Sequence, residues 1–392
     1  MTRVINRITA VAIAMWVGIS AASQAADLPP GPKWKEDLAV AQKAALEQRV
    51  PLLIYFAKKE CPECAAVEKS LLPSVKPVYD KVVWLYVNHR FDKKPFSAAD
   101  WPTDRIEVRF GVIDDYPHLL LIDPETLGLL EDLARTPEPF IKAVAETKVR
   151  PENPSAAMEG LKLAEKRALQ LEKNKSKVLA RTFLNESDIV CRVRAVQALA
   201  ELEPLEVALQ AKDLLRVRND VLRIEVCKVL DVLAKPSAPN NPAVVKAIKS
   251  ALPTLEELAQ KPKDSLSPDL MRRAAVHILG KYGGAESIGV LGDIAAKTDP
   301  EKLLALEAVQ ALRGIGTRLP KLKKEVTAAL VEAYPQPPPP NADARTKLRY
   351  FDLCERVHTS LSEINTNKKV PKPSVDQYNA LTREWLKEQW LK

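Results

Sequence analysis

Residues Pro51–Cys64 read PLLIYFAKKECPEC, and this stretch decides the fold of the N-terminal part of the chain. The run Val50–Ala57 is continuously apolar, as expected of a β-strand that is covered on both faces. The stretch ends in a Cys-x-x-Cys motif, Cys61–Cys64, which is compatible with the start of a helix. The sequence therefore predicts a buried strand that leads through a short loop into a helix carrying two cysteines.

This arrangement suits thiol chemistry. The first turn of a helix has unpaired N–H groups and a partial positive charge, and both stabilise a thiolate. Cys61 at the N-cap is the expected nucleophile, and Pro62 fits the first helical position because no partner for its missing N–H is needed there. Cys64, one turn further on, is placed to attack Cys61 and resolve a mixed disulfide.

The flanking sequence completes an α/β unit. Apolar spacing predicts a helix at Lys35–Gln48, and short apolar runs predict further strands at Val82–Val87 and His118–Ile122. Turn residues follow, then a hairpin partner at Leu129–Leu133 and a closing helix at Pro137–Lys148. Strand, helix, strand, hairpin and helix together make an α/β sandwich.

With these motifs in place, residues 34–148 resemble the thioredoxin-like family, especially its secreted members. The resemblance is carried by the CPEC motif after a buried strand and by Tyr116-Pro117 just before the apolar run HLLLI. It implies that Tyr116-Pro117 is the cis-proline loop opposite the cysteines. It further implies that the Tyr116 carbonyl pairs with the substrate backbone and that Pro117 keeps metal away from the thiols. The implied activity is thiol–disulfide exchange by Cys61 and Cys64.

Several residues depart from the family pattern. Tyr55 occupies the strand position where thioredoxin has a buried aspartate as proton acceptor, and Glu60 replaces the usual tryptophan before the first cysteine. Glu63 opposes ionisation of Cys61, whereas Lys58 and Lys59 favour it. The sequence therefore leaves open whether the motif oxidises or reduces its client.

Two other interpretations of the cysteine pair remain open. In an oxidising compartment Cys61–Cys64 can be a permanent structural disulfide. A copper or zinc site would need His89 and His118 as additional ligands, but no ligand-spaced cluster surrounds them. We expect His118 to be a surface residue of its strand. Haem attachment is excluded because Ala65, not histidine, follows the motif, and no cofactor or metal is expected.

The N-terminus resembles a secretory signal peptide. Arg3 and Arg7 precede the apolar run Ile8–Ile19, and small residues lead to a predicted cleavage site after Ala25. A retained membrane anchor is the alternative, but the run is short for a bilayer of about 30 Å. We therefore expect a periplasmic or secreted protein without a stable membrane anchor after cleavage.

Beyond residues 151–154, which read PENP, the strand signals disappear and helical segments recur. The segments CRVRAVQALAEL, LRIEVCKVLDVL, MRRAAVHILGKY and LALEAVQALRGI start at Cys191, Leu222, Met271 and Leu304. Helix pairs at such spacing indicate a stacked solenoid, since a single pair cannot bury its own apolar face. These segments resemble HEAT-like repeats, which implies a protein-binding role without catalytic residues.

The predicted organisation is a signal peptide at 1–25, a thioredoxin-like domain at 26–150, HEAT-like repeats at 155–334, and a proline-rich linker with capping helices at 335–392. The last segment contains Trp385 and Trp390, which we expect to dock as a cap. Cys191, Cys227 and Cys354 are interpreted as small buried apolar residues.

Two functions fit this organisation. The first is an envelope thiol–disulfide oxidoreductase whose repeats recruit a protein client or an envelope complex. The second is a non-catalytic interaction scaffold with an inert disulfide. The formal net charge is +8, but no aromatic stripe accompanies the basic residues, and with export this argues against a nucleic-acid partner. The redox partner protein is not identified by the sequence.

Overall fold

The computed structural model describes residues 28–58, 60–89, 105–112, 116–174, 176–234, 242–260, 265–297, 303–339, 341–368, 370, 373, 375–378 and 381–391. By their contacts the residues form two compact units: Met1–Trp101 with Asp115–Lys162, and Pro102–Asp114 with Leu163–Lys392. The predicted signal peptide at 1–25 lies outside the described residues. Within those residues, no helix is both long and apolar enough to cross a membrane.

The first unit contains a mixed five-stranded sheet with the order β1-β3-β2-β4-β5. Its strands are β1 (Trp34–Lys35), β2 (Leu52–Lys58), β3 (Val83–His89), β4 (His118–Ile122) and β5 (Leu129–Asp132). β2 pairs in parallel with β3 and antiparallel with β4. The expected order of an α/β part followed by a helical part is confirmed.

The continuous apolar sequence of β2 matches its central place in the sheet. Each residue from Leu52 to Ala57 is buried, because neighbouring strands cover both edges and other elements cover both faces. Helix α1 (Leu38–Gln48) precedes β2 and begins where the Asp37 carboxylate accepts a hydrogen bond from the Val40 N–H. Its Gln42 side chain donates to the Pro124 carbonyl at 2.8 Å, which ties α1 to the β4–β5 hairpin.

An aromatic cluster covers the face of the sheet that carries Tyr55. Trp34 contacts Tyr55, Trp84 and Tyr86 with ring centroids 5.4–5.9 Å apart. Trp84 also stacks on Phe140 of helix α4 (Pro137–Glu146). Aromatic pairs at these distances add to the free energy gained by burying their large apolar surfaces.

The helix after the cysteine motif contains an irregular turn. Helix α2 (Pro62–Ala66) continues as a π-helical turn at Val67–Leu71 and ends in a short α-helical turn at Leu72–Ser74. The Leu72 N–H donates to the Val67 carbonyl, the spacing of a π-helix. Pro73 lies at the end of this run, and a proline inside a helix clashes with the carbonyl one turn before it. A wider turn just upstream accommodates that clash.

All regular secondary structure described in the second unit is helical. Its elements, with α5 shared in sequence by both units, are α3 (Arg105–Phe110), α5 (Pro154–Asn174), α6 (Lys177–Phe183), α7 (Ile189–Leu202), α8 (Pro204–Leu209), α9 (Ala211–Arg216), α10 (Asp220–Leu233), α11 (Pro242–Gln260), α12 (Pro268–Tyr282), α13 (Ala285–Lys297), α14 (Leu304–Arg318), α15 (Lys323–Glu332), α16 (Ala344–Ile364), α17 (Val375–Tyr378) and α18 (Arg383–Trp390).

These helices stack in two rows, as in a solenoid. The four segments that the sequence singled out form α7, α10, α12 and α14, each of which packs against the next, and α16 continues the row. The second row runs through α9, α11, α13 and α15. Each helix thus buries its apolar side between neighbours, which is how repeat proteins form a continuous core.

Arginine side chains link successive helices in a repeated way. Arg192, Arg223 and Arg272 lie near the starts of α7, α10 and α12. Each donates from Nε to a carbonyl at the end of the preceding helix, with distances of 3.2, 3.0 and 2.9 Å. The last carbonyls of a helix have no partner within it, so these guanidinium groups satisfy acceptors that would otherwise be buried without one.

Segment 102–114 belongs to the helical unit, although the predicted thioredoxin-like domain at 26–150 included it. The Arg109 guanidinium pairs with the Asp188 carboxylate, Nη1 to Oδ2 2.5 Å. Asn219 donates to the carbonyls of Val108 and Arg109 at 2.8 and 3.2 Å. Gly111 has φ +74°, and a Cβ there would lie 3.1 Å from the Asp220 nitrogen.

The C-terminal segment docks on the repeats partly as expected. Trp390 is buried and its ring contacts His358 edge to face, whereas Trp385 stays partly exposed. Tyr334 and Tyr350 both donate to the Tyr378 carbonyl. The sequence of residues 375–391 predicts a single final helix, and this prediction is wrong because the segment forms the two short helices α17 and α18.

Replacing Asn219 by alanine tests how strongly segment 102–114 is held. The side chain also caps α10 by accepting from the Leu222 N–H at 2.9 Å. Losing the cap and two buried hydrogen bonds should lower the free energy of unfolding by about 2–3 kcal/mol. Urea unfolding followed by far-UV circular dichroism measures this. The exposed Asn185→Ala is the control, and equal midpoints for the two variants would contradict the prediction.

Candidate redox site

The end of β2 positions the first cysteine. The chain leaves the strand at Lys58, turns at Glu60 in the left-handed region with φ 62°, and begins α2 with Cys61 as the N-cap. Pro62 occupies the first helical position, where its fixed φ suits the helix and its missing N–H leaves no hydrogen bond unmade.

Cys61 and Cys64 form a disulfide, with their Cα atoms 5.2 Å apart. Their surroundings differ strongly. Cys61 is partly exposed at the protein surface, whereas Cys64 is only 3 % exposed. A reagent or a client thiol can therefore reach the sulfur of Cys61 and not that of Cys64. This asymmetry is the one expected of a nucleophile paired with a resolving cysteine.

Three polar groups surround the Cys61 sulfur. The Cys64 backbone N–H donates to Sγ at 3.1 Å, a contact that would strengthen on a thiolate. Glu63 Oε2 lies 3.8 Å from the same sulfur, and its negative charge opposes ionisation. The Tyr116 carbonyl oxygen is also 3.8 Å away. The N–H at the helix N-terminus therefore stabilises the Cys61 thiolate, whereas the Glu63 carboxylate destabilises it.

The Tyr116–Pro117 peptide bond is cis. Tyr116 is buried, and its carbonyl faces the Cys61 sulfur. All four sequence-predicted site residues, Cys61, Cys64, Tyr116 and Pro117, therefore lie at one corner of the first unit. The Tyr116 carbonyl and the Cys61 sulfur are therefore neighbours across the site.

Tyr55 and Glu68 form a contact behind the motif that the sequence did not reveal. The Tyr55 hydroxyl lies 3.2 Å from the Cys64 carbonyl oxygen and 3.2 Å from Glu68 Oε1. Burial raises the pKa of Tyr55 far above its ordinary value, and the neighbouring Glu68 raises it further. The hydroxyl therefore stays protonated and acts as a donor. The one sequence signal for this contact is that Glu68 follows Cys64 by four residues, which places both on the same side of a helix.

His118 is buried at 3 % exposure, so the expectation of a surface histidine is wrong. Its Nδ1 lies 3.4 Å from Asp132 Oδ2 on β5. His118 pairs with Phe56 in the sheet, and residues next to each other on a strand point to opposite faces. His118 therefore points away from the face on which Tyr55 meets the cysteine helix.

The structure assembles no metal centre from the described side chains, since no three His, Cys, Asp or Glu residues among them are grouped to hold an ion. His89 ends β3, and its side chain lies outside the described atoms. His118 points away from the face that carries the cysteine helix, so it is not placed to join Cys61 and Cys64 in a metal site.

An open groove of about 420 Å³ runs beside the cysteine helix. One wall is the helix face from Glu63 to Ser74, and the other wall is formed by Arg135 and Pro137 at the start of α4. Ala66, Val67 and Leu71 make its floor largely apolar. Glu63, one of the two residues between the cysteines, is among its lining residues.

The three remaining cysteines are free and buried, as predicted. Burial raises the pKa of Cys191 and of Cys227 to about 12 each, and that of Cys354 to about 11. The Cys191 thiol donates to the Ala164 carbonyl at 3.3 Å. A thiol with so high a pKa is almost wholly protonated at neutral pH and is a poor nucleophile.

A comparison with protein-family models, curated proteins and solved structures found no match to this chain. What the site can do therefore follows from its own residues and distances.

Brief alkylation of the reduced, folded protein tests the difference in accessibility. Iodoacetamide should modify Cys61 at least tenfold faster than any other cysteine, because Cys64 is covered and Cys191, Cys227 and Cys354 are buried with raised pKa values. Peptide mass spectrometry after a short pulse gives the modified fraction at each site. Alkylation in denaturant is the control, and the prediction fails if Cys61 reacts no faster than Cys227.

Proposed function

We propose that the chain is an envelope thiol–disulfide exchange protein with a thioredoxin-like N-terminal unit and a HEAT-like helical scaffold. The observation that carries the proposal is the partly exposed residue Cys61 at a helix start, whose sulfur is bonded to buried Cys64 and lies 3.8 Å from the Tyr116 carbonyl before a cis-proline. A purely structural disulfide needs neither the exposed sulfur nor the adjacent backbone acceptor.

The thioredoxin-like assignment rests on the position of the motif in the sheet. The cysteine helix follows the central strand β2, and Tyr116-Pro117 enters the antiparallel neighbour β4. This is the placement that the family resemblance implies. The HEAT-like assignment rests on the two rows of stacked helices and on the four similar segments that form α7, α10, α12 and α14.

The exchange proceeds in two displacements. In the reduced protein, the Cys61 thiolate attacks one sulfur of a client disulfide, forms a mixed disulfide and releases the other client sulfur as a thiolate, which takes up a proton. Cys64 then loses its proton and attacks Cys61 Sγ, so that the Cys61–Cys64 bond forms and the second client thiolate leaves. Two electrons pass from the protein thiols to the client, and the reverse sequence oxidises a client dithiol.

The residues around the sulfur orient the client. The Tyr116 carbonyl accepts a backbone N–H of the client beside its cysteine, and Pro117 shapes the surface against which that backbone lies. The groove lined by Ala66, Val67 and Leu71 receives an apolar side chain of the client near the cysteine motif. The helical unit recruits the client or a partner complex, and export by the predicted signal peptide delivers the protein to an oxidising compartment.

A second candidate is a non-catalytic interaction scaffold in which Cys61–Cys64 is an inert clip. Glu63 favours it, because a carboxylate 3.8 Å from the Cys61 sulfur disfavours the reactive thiolate. In that case the cysteine pair adds stability to the first unit, and the helical unit alone carries the function.

Cys64→Ser distinguishes the two candidates, since it leaves Cys61 able to attack but removes the resolving thiol. We expect the variant to accumulate mixed disulfides with envelope proteins, visible as higher-mass bands on non-reducing gels that disappear with reductant. Cys61→Ser is the matched control and should trap none. The reduction potential of the wild-type pair, measured against glutathione, adds a second readout.

Absence of trapped species with Cys64→Ser, together with a potential below that of the glutathione pool, would support the inert clip and overturn the exchange proposal. Trapping by both variants would show that the mixed disulfides form at other cysteines, and this also contradicts the proposed role of Cys61.

A further inference from the structure

The buried resolving cysteine needs a proton acceptor. During the second displacement the Cys64 thiol must lose its proton at a place that is only 3 % exposed, where water has little access. Tyr55 contacts the Cys64 carbonyl from β2, but its raised pKa makes it a hydrogen-bond donor and no base. The proton must therefore go to another group near Cys64.

The Glu68 carboxylate is linked to Cys64 through the Tyr55 hydroxyl. Its carboxylate oxygen and the Cys64 carbonyl oxygen both lie 3.2 Å from the same Tyr55 hydroxyl, so the two residues share one corner of the site. Glu68 follows Cys64 by four residues, within the π-helical turn at Val67–Leu71. Residues four apart on a helix lie on the same side, and the Tyr55 hydrogen bond holds the carboxylate against the sheet.

We propose that Glu68 accepts the proton of the Cys64 thiol, and that Tyr55 is the positioning residue that holds the Glu68 carboxylate. This inference rests on the proposed exchange function and identifies how its second step is assisted. Glu68 is partly exposed, so it can return the proton to solvent once the step is complete.

In the second displacement, one proton moves and one sulfur–sulfur bond replaces another. With Cys61 bound to a client sulfur, the Cys64 S–H bond breaks and its proton passes to a Glu68 carboxylate oxygen. The Cys64 thiolate attacks Cys61 Sγ, the Cys61–Cys64 bond forms, and the client sulfur leaves with the electron pair of the bond that breaks. In the opposite direction, protonated Glu68 returns its proton to the Cys64 thiolate as the disulfide opens.

Other titratable side chains face this corner from both elements. Glu63 lies on the helix beside Cys61, and Tyr55 and Tyr86 lie on the sheet with ring centroids 5.7 Å apart. Burial raises the pKa of Tyr55, so its hydroxyl stays protonated and acts as a hydrogen-bond donor. A Glu63→Gln variant therefore separates the effect of the carboxylate beside Cys61 from that of Glu68.

The experiment uses the full-length reduced protein and 5,5′-dithiobis(2-nitrobenzoate). Cys61 releases one coloured thiolate when it attacks the reagent, and Cys64 releases the second when it attacks the resulting mixed disulfide, so stopped-flow absorbance resolves the two steps. We expect Glu68→Gln to slow the second release by about tenfold or more and to move its pH midpoint upward, because a general base is lost. The first release should change less than about twofold by the same argument.

Three variants complete the design. Tyr55→Phe removes one hydroxyl and should slow only the second release, with a pH midpoint shifted in the same direction. Glu68→Asp should restore part of the rate. Glu47→Gln removes a carboxylate from the exposed surface of α1 and controls for charge alone. If Glu68→Gln does not fold, Tyr55→Phe provides the same test of the second release.

The outcomes separate the two proposals. A second release with unchanged rate and pH profile in Glu68→Gln and Tyr55→Phe overturns the role of Glu68, while a normal first release keeps the exchange function intact. If the wild type releases no first thiolate, the exchange function itself fails. A loss of both releases in Glu68→Gln would also contradict the inference, because it would place Glu68 at Cys61.

Discussion

Strand β2 is hydrogen-bonded along both edges, and the placement of every reactive group in the first unit depends on this. Because β4 runs antiparallel to β2, the end of one strand lies beside the start of the other, and Phe56 pairs with His118. The loop that leaves β2 therefore meets the loop that enters β4. The Cys61 sulfur and the Tyr116 carbonyl are neighbours for this topological reason, although 55 residues separate them in sequence.

The site could be predicted from sequence where its signals were local. The apolar run of β2, the Cys-x-x-Cys motif and the aromatic-proline pair before β4 each lie within a few residues and point to the same corner. The contact between Tyr55 and Glu68 was not predictable, since it needs both the strand register and the π-helical turn. His118 was misjudged because a polar residue at the start of a strand gives no sign of which face is covered.

In the helical unit, too, some features could be predicted from the sequence and others could not. The spacing of small and branched apolar residues predicted α7, α10, α12 and α14, since one covered face is a local property of a helix. The assignment of residues 102–114 to this unit was not predictable, because it depends on Asn219 and Asp188, which lie far away in the chain. The final helix was overestimated because its apolar spacing continues across the break between α17 and α18.

Because α3 belongs to the helical unit, the chain cannot be divided into two independent parts at one position. A chain that ended after residue 150 would contain α3 but lack the helices of the second unit. Val108 and Phe110, which are buried in the full chain, would then face solvent. The first unit therefore cannot be separated from the helical unit by a single cut after residue 150. Any transplant has to carry the helical unit with it or redesign the α3 surface.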